Sequence, residues 1–565
     1  MTRPSAELPV PTGPAEPSGP AHPPGPPEPV DLATELAALE RARGAAATRI
    51  EQLAQLDVLG ADETSEQFIE AVVAHRMDQL RRQLVVFGRI DDSQAWRVGL
   101  FGIDLGGEQL VVDWRAPFAQ GFYQATRVEP GGLDRRVSYV GCIDDLMVED
   151  FVTGGISGTS PLMAELAAGK GTEMKAAVAT LQAEQDRLVR LDPSARLVLR
   201  GGPGTGKTVV ALHRAAWLVY NDRRITNDRI LILGPSDRFL RYVATVLPTL
   251  GESRIRQSTL DRWLGPATLP GGDPSWLDTL DRLEASLPAP RAIRVRGRAM
   301  PESEVVDLIG RLLERRLPWR DRRDVLARQL AARVEVPLTE ARAAIADVLP
   351  PLTAAGAWRR LRSRSGLAAL GVDPDLIDAW LEVDDDGPLR DEVRARFEGI
   401  ADRFSHVIVD EAQDLTSYQL RAVLRRADGL TFVGDDAQRS VPDGLGLRGI
   451  ADHLDVPTEI MATAYRMSAE IARWLNAHAV EHGIDAVPLV GIRPTGVDVR
   501  TENDPDAAAI RLRTRWDNVA VIRADEVWSH KGVEYDAVVL DTRGMDPAQV
   551  YLGASRAAHE LALVT

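Results

Sequence analysis

Apolar residues near the amino terminus recur every three or four positions, the spacing that places them on one face of a helix. They fall in two stretches, DLATELAALERARGAAATRIEQLAQL and TSEQFIEAVVAHRMDQLRRQL, with DVLGADE between them. This pattern predicts an antiparallel helical hairpin over residues 31–90. The alternative is that both helices pack on the body of the protein as ordinary core.

The apolar pattern becomes typical of strands after residue 90. The segment WRVGLFGIDLGGEQLVVDW contains two runs of strand-forming residues around Gly106 and Gly107, which indicates a β-hairpin. A cluster of aromatic residues follows in WRAPFAQGFY and is most simply hydrophobic core. We predict a small β-rich region over residues 91–150.

Strand-like apolar runs then alternate with helical patterns along the rest of the sequence. Most are followed by turn residues and then a helix, which is the pattern of parallel sheets. We predict an α/β fold in which 151–254 and 401–455 form one domain, 255–400 is a helical insertion and 456–565 is a short second domain. The strand-like runs lie at 197–199, 230–233, 407–409, 430–433, 519–522 and 537–540.

Composition changes this picture mainly at the amino terminus. Residues 1–30 contain eleven prolines, a composition that cannot bury a core, so we predict a disordered tail. No apolar run reaches the roughly 18 to 20 residues that span a bilayer, and MTRPSAELPVPTGP lacks the apolar segment of a secretory signal. The single cysteine, Cys142, cannot form an internal disulfide and is expected to be a small buried side chain. We predict a cytoplasmic protein that does not use a membrane.

Charge limits the partners that the chain can bind through electrostatics alone. The formal net charge is −16 and the isoelectric point is about 5.2, which weighs against affinity built on many nonspecific phosphate contacts. A protein with a negative net charge can still contain a channel that is locally basic. Of the 67 basic residues, only four are lysines, so a lysine at a phosphate site stands out against the arginine-rich background.

One of those lysines lies in the segment GGPGTGKT, residues 201–208. The segment follows the apolar run LVL, precedes an amphipathic helix and fits G-x-x-x-x-G-K-[ST]. Such a loop holds phosphates with backbone N–H groups and a helix amino terminus; Lys207 would reach the β- and γ-phosphates and Thr208 would ligate Mg²⁺. We therefore predict ATP and Mg²⁺ as ligands, with contacts from Gly202, Pro203, Gly204, Thr205, Gly206, Lys207, Thr208 and Val209.

Two carboxylates follow a buried strand in VIVDEAQD, residues 407–414. Asp410 suits ligation of Mg²⁺, and Glu411 suits orienting or deprotonating the water that attacks the γ-phosphate. An Asp-Glu pair after an apolar run is by itself often just a loop. Downstream of a phosphate-binding loop, the pair predicts the metal and base positions of a nucleotide hydrolase.

Further motifs follow in a fixed order and resemble those of superfamily 1 helicases. Gln185 lies in TLQAEQDR, Gln438 in GDDAQRS, Tyr465 and Arg466 in AYRMS, Lys531 and Glu534 in SHKGVEYD, and Arg556 in YLGASRAAHE. The resemblance covers most of residues 180–565. It implies two RecA-like P-loop NTPase domains with ATP between them.

The resemblance also implies roles for individual side chains. Gln185 would read adenine, Tyr465 would stack on it and Glu534 would hold the ribose. Gln438 would sense the γ-phosphate, while Arg466 and Arg556 would act in cis as arginine fingers. These roles agree with the chemistry, because charge that develops on the γ-phosphoryl group requires guanidinium stabilisation.

Residues outside those motifs resemble a narrower family, the HelD factors. The similar segments are VVDWRAPFAQGFYQAT, AAVATLQAEQDRLVR, LRGGPGTGKTVVALHRAAWLVY and ILILGPSDRFLRYVATVLPTLGE. HelD factors bind bacterial RNA polymerase and free it from stalled or inactive nucleic-acid complexes. The resemblance implies that the hairpin is an arm in the secondary channel of core polymerase, that an element of the P-loop domain reaches the primary channel, and that the protein is monomeric in the complex. Some actinobacterial members are associated with rifamycin resistance.

Several features depart from helicases that move along DNA. QRSVPDGLGLRG, which begins at Gln438, lacks the aromatic residues that stack on bases, and GPSDRFLRYV lacks a threonine-asparagine pair. Residues 467–524 are too few for the large inserted domain of processive helicases. The sequence ends shortly after Arg556, which predicts a reduced second domain and puts its full hydrolytic competence in doubt.

Together these patterns lead to one hypothesis and two alternatives. The hypothesis is that ATP hydrolysis drives rearrangement of RNA polymerase, with only weak contact to nucleic acid. The alternatives are a superfamily 1 DNA or RNA helicase and a protein that binds nucleotide without hydrolysing it. The acidic segment LEVDDDGPLRDE, residues 381–392, would mimic nucleic acid in a basic channel or be a solvated loop.

Overall fold

The computed structural model describes residues 30–55, 86–140, 145–162, 181–250, 252, 255–268, 275–315, 317–382, 386–441 and 443–565. The chain folds as two compact units. The first comprises the chain up to Asp192 together with Val209–Arg223 and Tyr242–Ser253, and the second comprises Pro193–Thr208, Arg224–Arg241 and Arg254–Thr565. In the described part of the chain, no helix combines the length and the apolar character needed to cross a membrane.

The first unit is built around a seven-stranded sheet with the order β3-β4-β2-β1-β5-β6-β7. The predicted hairpin is present, since β3 and β4 pair antiparallel across Gly106 and Gly107, both of which have positive φ. The elements are α1 Leu32–Gln55, β1 Val86–Asp91, β2 Ala95–Gly99, β3 Ile103–Leu105, β4 Glu108–Asp113, α2 Gln120–Gln124, β5 Arg135–Val140, β6 Asp145–Asp150, β7 Ile156–Ser157 and α3 Ala183–Val189.

The amino-terminal half of α1 packs on this sheet. Leu39, Ala42, Ala45 and Ala46 share a core cluster with residues of β1, β3, β4 and β5. Glu35 is fully buried and binds three groups of the sheet: Arg89 at 2.7 Å, Arg97 at 3.1 Å and the Tyr139 hydroxyl. Over these residues α1 is core rather than a free arm, as the alternative interpretation of the hairpin held.

The predicted boundary of the hairpin at residue 90 is wrong. Val86–Asp91 form β1, which pairs with β2 on one side and β5 on the other. All six residues are buried although the strand contains two charged residues, because Arg89 pairs with Asp91 at 2.6 Å and with Glu35 at 2.7 Å. The second hairpin helix, the proline-rich tail before Val30 and Cys142 lie outside the described residues.

The second unit contains two parallel sheets and a helical insertion. Its strands are β8 Arg196–Gly201, β9 Ile230–Gly234, β10 Arg256–Thr259, β11 Ile293–Val295, β12 Arg298–Met300, β13 Phe404–Val409, β14 Ala427–Gly434, β15 Thr458–Met461, β16 Thr463–Ser468, β17 Val490–Arg493, β18 Arg500–Glu502, β19 Val519–Ile522, β20 Tyr535–Asp541 and β21 Ala557–Val564. The helices that begin at or after Lys207 are α4 Lys207–Asn221, α5 Asp237–Thr249, α6 Leu260–Leu264, α7 Ser275–Ser286, α8 Glu302–Glu314, α9 Trp319–Val334, α10 Leu338–Ala344, α11 Ala354–Leu361, α12 Arg364–Ala369, α13 Pro374–Glu382, α14 Gly387–Phe397, α15 Ser417–Leu424, α16 Gly446–Leu454, α17 Ala469–Glu481, α18 Pro505–Arg513 and α19 Pro547–Ala554.

The first module of this unit is a six-stranded sheet with the order β10-β9-β13-β14-β8-β15. Every neighbouring pair is parallel. The strand β8, which leads into the phosphate-binding loop, lies between β14 and β15, so the loop opens at the carboxyl edge beside the ends of β13 and β14. In open parallel sheets this edge is where ligands bind.

The helical insertion has a core of its own, which includes Trp276, Trp319 and Trp380. It begins later than the predicted residue 255, because Arg256–Thr259 form β10 of the first module. Within the acidic segment 381–392, Asp386 caps α14, while Asp391 and Glu392 are buried in ion pairs with arginines. These three carboxylates therefore do not form an exposed mimic of nucleic acid.

The second module begins at residue 463 and not at the predicted 456, because Thr458–Met461 form β15 of the first module. It contains a four-stranded parallel sheet with the order β18-β21-β20-β19 and a parallel pair of strands, β16 and β17. Its core is shared by α17, α19 and the inner strands. The strand β21, formed by the residues just after Arg556, is buried along its length. The predicted α/β architecture is confirmed, and both sheets are consistent with RecA-like domains.

Candidate nucleotide site

The loop between β8 and α4 is shaped by two glycines and by bonds to one carbonyl. Gly204 has φ +71° and Gly206 has φ +89°, values that residues with a Cβ rarely adopt. The Thr205 hydroxyl donates to the Gly202 carbonyl oxygen at 2.9 Å, and Lys207 Nζ donates to the same oxygen at 2.8 Å. The lysine ammonium is therefore held over the loop, where a bound phosphate would meet it.

Thr208 and Asp410 face each other at the start of α4 and the end of β13. The Thr208 hydroxyl donates to Asp410 Oδ2 at 2.7 Å. Burial, reinforced by the charge of Glu411, raises the pKa of Asp410 to about 6. A hydroxyl beside a buried carboxylate is an oxygen donor set that fits Mg²⁺, which is usually held by one or two protein oxygens together with substrate phosphates.

Glu411 lies in an unusual backbone conformation, with φ 54° and ψ 39°. Its amide donates to Asp410 Oδ1 at 2.8 Å, and its carboxylate accepts from Gln413 Nε2 at 2.6 Å and lies 3.5 Å from Lys531 Nζ. Burial opposes its ionisation, but the positive charges of Lys531 and Lys207 outweigh burial and lower its pKa. Glu411 is therefore a carboxylate, the form that can accept a proton from water.

The candidate γ-phosphate sensor contacts a candidate arginine finger directly. Arg556 Nη2 donates to Gln438 Oε1 at 2.7 Å, and both side chains are buried. The other bonds of Arg556 go to Ser555 Oγ and to the carbonyl oxygens of Leu552 and Val533. Burial lowers the pKa of Arg556, and within the described residues it forms no ion pair. Its charge is thus available to an anion.

The remaining predicted residues of the second module lie at the same edge of the unit. The Tyr465 amide donates to the Gly204 carbonyl oxygen at 3.0 Å. Arg466 Nη1 lies 3.2 Å from Glu534 Oε2. The expected second finger and the expected ribose ligand are therefore partners of each other in this structure.

Gln185 and Val209 belong to the first unit and are described there. Gln185 lies in the first turn of α3, where its Oε1 accepts from the Gln182 amide at 3.1 Å in a capping box. Val209 is buried in α4, and its carbonyl oxygen lies 2.7 Å from His213 Nδ1. The expected role of Gln185 with adenine stays a prediction.

Four residues of the site had no role in the sequence-based prediction. Gln413 joins Glu411 to the next loop, because its Oε1 accepts from the Asp435 amide at 3.1 Å. Asp435 in turn accepts from Gln438 Nε2 at 2.8 Å. Lys531 Nζ donates to Asp414 Oδ2 at 2.6 Å. All four residues belong to the motifs already quoted, DEAQD, GDDAQ and SHKG. Their position within these motifs is the signal that could have identified them.

Two family models match the sequence. The model described as "DNA helicase IV HelD, N-terminal domain" matches residues 28–144, and the model described as "AAA domain" matches residues 185–442. The second range contains the phosphate-binding loop, Asp410, Glu411 and Gln438. No curated protein matches the chain.

Solved structures similar to this chain include three structures of viral helicases. Arterivirus nonstructural protein 10 (helicase) aligns over 76% of this chain and 70% of its own, with 11% identity and a TM-score of 0.29. The same protein in complex with DNA aligns over 67% and 62%, with 12% identity and a TM-score of 0.30. The PRRSV helicase aligns over 77% and 62%, with 13% identity and a TM-score of 0.29. In the last two alignments the matched part is less than two thirds of the helicase.

Proposed function

We propose that the chain is a HelD-like relative of the superfamily 1 helicases, and that it is an ATP hydrolase that binds RNA polymerase and releases it from stalled or inactive nucleic-acid complexes. One observation carries the hydrolase part. Lys207, Glu411 and Gln438 of the first module and Arg556 of the second meet at one edge of one compact unit, with Arg556 bonded to Gln438 at 2.7 Å. The charges of Lys207 and Arg556 both contribute to the lowered pKa of Glu411, so the three groups lie near one another around the glycine-rich loop.

The loop residues Gly202–Thr208 would hold the phosphates of ATP. Backbone N–H groups at the start of α4 suit the α- and β-phosphates, and Lys207 would exchange its bond to the Gly202 carbonyl oxygen for phosphate oxygens. Thr208 and Asp410 would hold Mg²⁺, which neutralises phosphate charge when bound.

Glu411 would accept the proton of the attacking water. Its carboxylate is ionised, and Gln413 and Lys531 hold it from two sides. Arg556 would stabilise the charge that develops on the γ-phosphoryl group, and Gln438 would position both that group and the arginine. We assign Arg466 a second, weaker role of this kind, since it must first leave Glu534. Tyr465 would stack on the base and Glu534 would bind the ribose.

The polymerase part of the proposal rests on the amino-terminal match and on charge. The matched range 28–144 covers α1 and most of the seven-stranded sheet. A net charge of −16 does not favour nucleic acid as the main ligand, but it is compatible with a protein partner that has basic channels. We propose a cytoplasmic monomer that contacts core polymerase through residues 56–85 of the predicted hairpin, with weak nucleic-acid contact only.

The test measures two properties of the full-length protein. Mg²⁺-dependent phosphate release from ATP is expected without added nucleic acid, and core polymerase subunits are expected in a pull-down from the native cell extract. If the protein binds ATP but releases no phosphate, the hydrolase proposal is wrong and the alternative of a nucleotide-binding protein without hydrolysis is supported. Release stimulated many-fold by single-stranded DNA, with no polymerase in the pull-down, would contradict the polymerase proposal and favour a helicase or translocase.

A further inference from the structure

A carboxylate of the second module lies between two guanidinium groups of the first. Asp485 follows α17, and its Oδ1 is 3.0 Å from Arg200 Nη2 and 3.0 Å from Arg448 Nη2. Arg200 lies in β8, one residue before the strand ends at the phosphate-binding loop, and Arg448 lies in α16. We call Asp485 with these two arginines the latch.

The latch has a fixed half and a separable half. The Arg200 side chain is 6% exposed, and its Nε lies 2.8 Å from Oδ2 of Asp436, which is 2% exposed. Asp436 Oδ1 accepts from the Leu447 amide at 2.7 Å, so this pair is completed within the first module. Asp485 is 44% exposed and Arg448 is 66% exposed. Water can replace the ion-pair contacts of the partly exposed Asp485 at little cost in free energy, whereas separating the buried pair of Arg200 and Asp436 would leave two unpaired charges in the interior.

The latch adjoins the segment with which the second module covers the phosphate-binding loop. Leu489, four residues after Asp485, packs on Gly202 so closely that an added Cβ there would lie 2.4 Å from Leu489 Cδ2. The Tyr465 amide is bonded to the Gly204 carbonyl oxygen. Because this loop is where phosphates would bind, a second module held on it opposes the entry and departure of nucleotide.

We propose that the latch controls nucleotide exchange by holding the second module on the phosphate-binding loop, which makes Arg200 and Asp485 positioning residues for that site. The fixed half also contacts the turn that carries Gln438, since Asp436 is the first residue of that turn. The latch therefore lies next to the phosphate-binding loop and contacts the turn that carries Gln438, the candidate γ-phosphate sensor. This inference rests on the proposed ATP site.

The test uses Asp485→Asn, which keeps the size of the side chain and removes its charge. The full-length protein is loaded with mant-ADP, and dissociation is followed by stopped flow after addition of excess ADP. We expect the dissociation rate to rise about fivefold, the effect of losing a partly exposed ion-pair contact. Arg448→Gln is expected to change the rate in the same direction by less, because Arg200 still holds Asp485.

A matched control is Asp498→Asn in the same module. Asp498 is 87% exposed, and its ion-pair partner Arg473, at 3.9 Å, is also exposed. This variant should exchange mant-ADP at the wild-type rate. Added salt should accelerate exchange more in the wild type than in Asp485→Asn, because salt weakens the phosphate contacts in both proteins but weakens the latch only in the wild type.

The two proposals fail in different ways. If wild-type protein does not bind mant-ADP, the proposed ATP site itself is wrong. If it binds and hydrolyses nucleotide normally but Asp485→Asn exchanges mant-ADP at the wild-type rate and with the wild-type salt dependence, the latch is wrong and the ATP site stands.

Discussion

At the scale of single residues, the site separates two adjacent carboxylates by their surroundings. Asp410 is buried and Glu411 is partly buried, and the pKa of Asp410 is raised while that of Glu411 is lowered. Burial opposes ionisation of both groups; at Glu411 the positive charges of Lys531 and Lys207 outweigh burial, whereas at Asp410 the charge of Glu411 adds to it. Neighbouring groups with opposite shifts are typical of sites that divide metal binding and proton transfer between two carboxylates.

Lys207→Ala and Glu411→Gln should both abolish most ATP turnover but differ in binding. Each is expected to lower turnover by about 100-fold or more. Lys207 would contact phosphates in the ground state, so its loss should also weaken ATP binding, whereas Glu411→Gln should leave affinity intact. Phosphate release and mant-ATP titration measure the two properties. Equal loss of affinity in both variants would contradict the assigned roles.

Arg556→Ala should lower turnover by at least about tenfold with little change in nucleotide affinity. The physical reason is that its guanidinium, bonded to neutral groups, gains a full charge partner only when the γ-phosphoryl group develops charge. Single-turnover hydrolysis separates this step from product release. A variant with wild-type turnover would mean that Arg556 does not act on ATP.

At the scale of elements, the insertion is joined to the site by a cluster of ion pairs. Glu392 in α14 is contacted by Arg421, Arg425 and Arg396. Two of these arginines lie in or just after α15, the helix that follows Asp410 and Glu411. These ion pairs therefore connect α14 of the insertion directly to the segment that carries Asp410 and Glu411. The sequence pattern alone suggested an exposed acidic loop here.

Glu392→Gln tests this junction through the pH dependence of stability. Burial opposes ionisation of Glu392, but the three arginines outweigh it and lower its pKa to about 2. A lowered pKa stabilises the fold above the unfolded value of 4.5, and this contribution is lost as pH falls from there toward 2. We expect Glu392→Gln to cost about 3 kcal/mol at pH 7, because a neutral amide cannot supply the stabilisation that the lowered pKa of this buried carboxylate represents.

Thermal unfolding at several pH values measures this effect. The difference in Tm between wild type and Glu392→Gln should be constant from pH 7 to pH 5 and should shrink below that. Glu382→Gln is a suitable control, because Glu382 is exposed at the end of α13. A difference that grows on acidification would contradict the ion-pair explanation.

At the scale of the whole molecule, the structure changes how the proposed arm must be tested. Removal of residues 31–88 would delete Glu35 and half of β1, and with them the core of the first unit. The helix α1 is tied to the sheet through Glu35, whose carboxylate is bonded to Arg89, Arg97 and Tyr139. The deletion must therefore begin after α1 and end before β1.

Replacement of residues 56–85 by a Gly/Ser linker should separate polymerase binding from ATP turnover. A linker of about 12 residues spans roughly 20 Å and leaves both α1 and β1 intact. We expect basal phosphate release to be unchanged, since every residue assigned to catalysis lies beyond residue 200, and co-elution with core polymerase to be lost. Retained co-elution would show that these residues are not the polymerase contact.

Sequence reasoning alone was sufficient for the parts of this protein that depend on near neighbours. The phosphate-binding loop, the strand before Asp410 and the turn at Gly106 and Gly107 were predicted because glycine conformation, strand periodicity and motif spacing act within about ten residues. The six predicted strands of the two parallel sheets are all present for the same reason. The order of the motifs also indicated a helicase-like α/β fold.

Tertiary structure alone decided which distant side chains are partners. Arg556 and Gln438 are 118 positions apart, and Lys531 and Asp414 are 117 apart; no local pattern records that they bond. The same holds for β1 and β21, each of which lies between two other strands of its sheet. It also holds for Asp391 and Glu392: the sequence suggests that these charged residues are exposed, but arginines that are distant in sequence pair with them in the interior. A buried charge is stable only with its partner, and the fold, not the neighbouring sequence, supplies that partner.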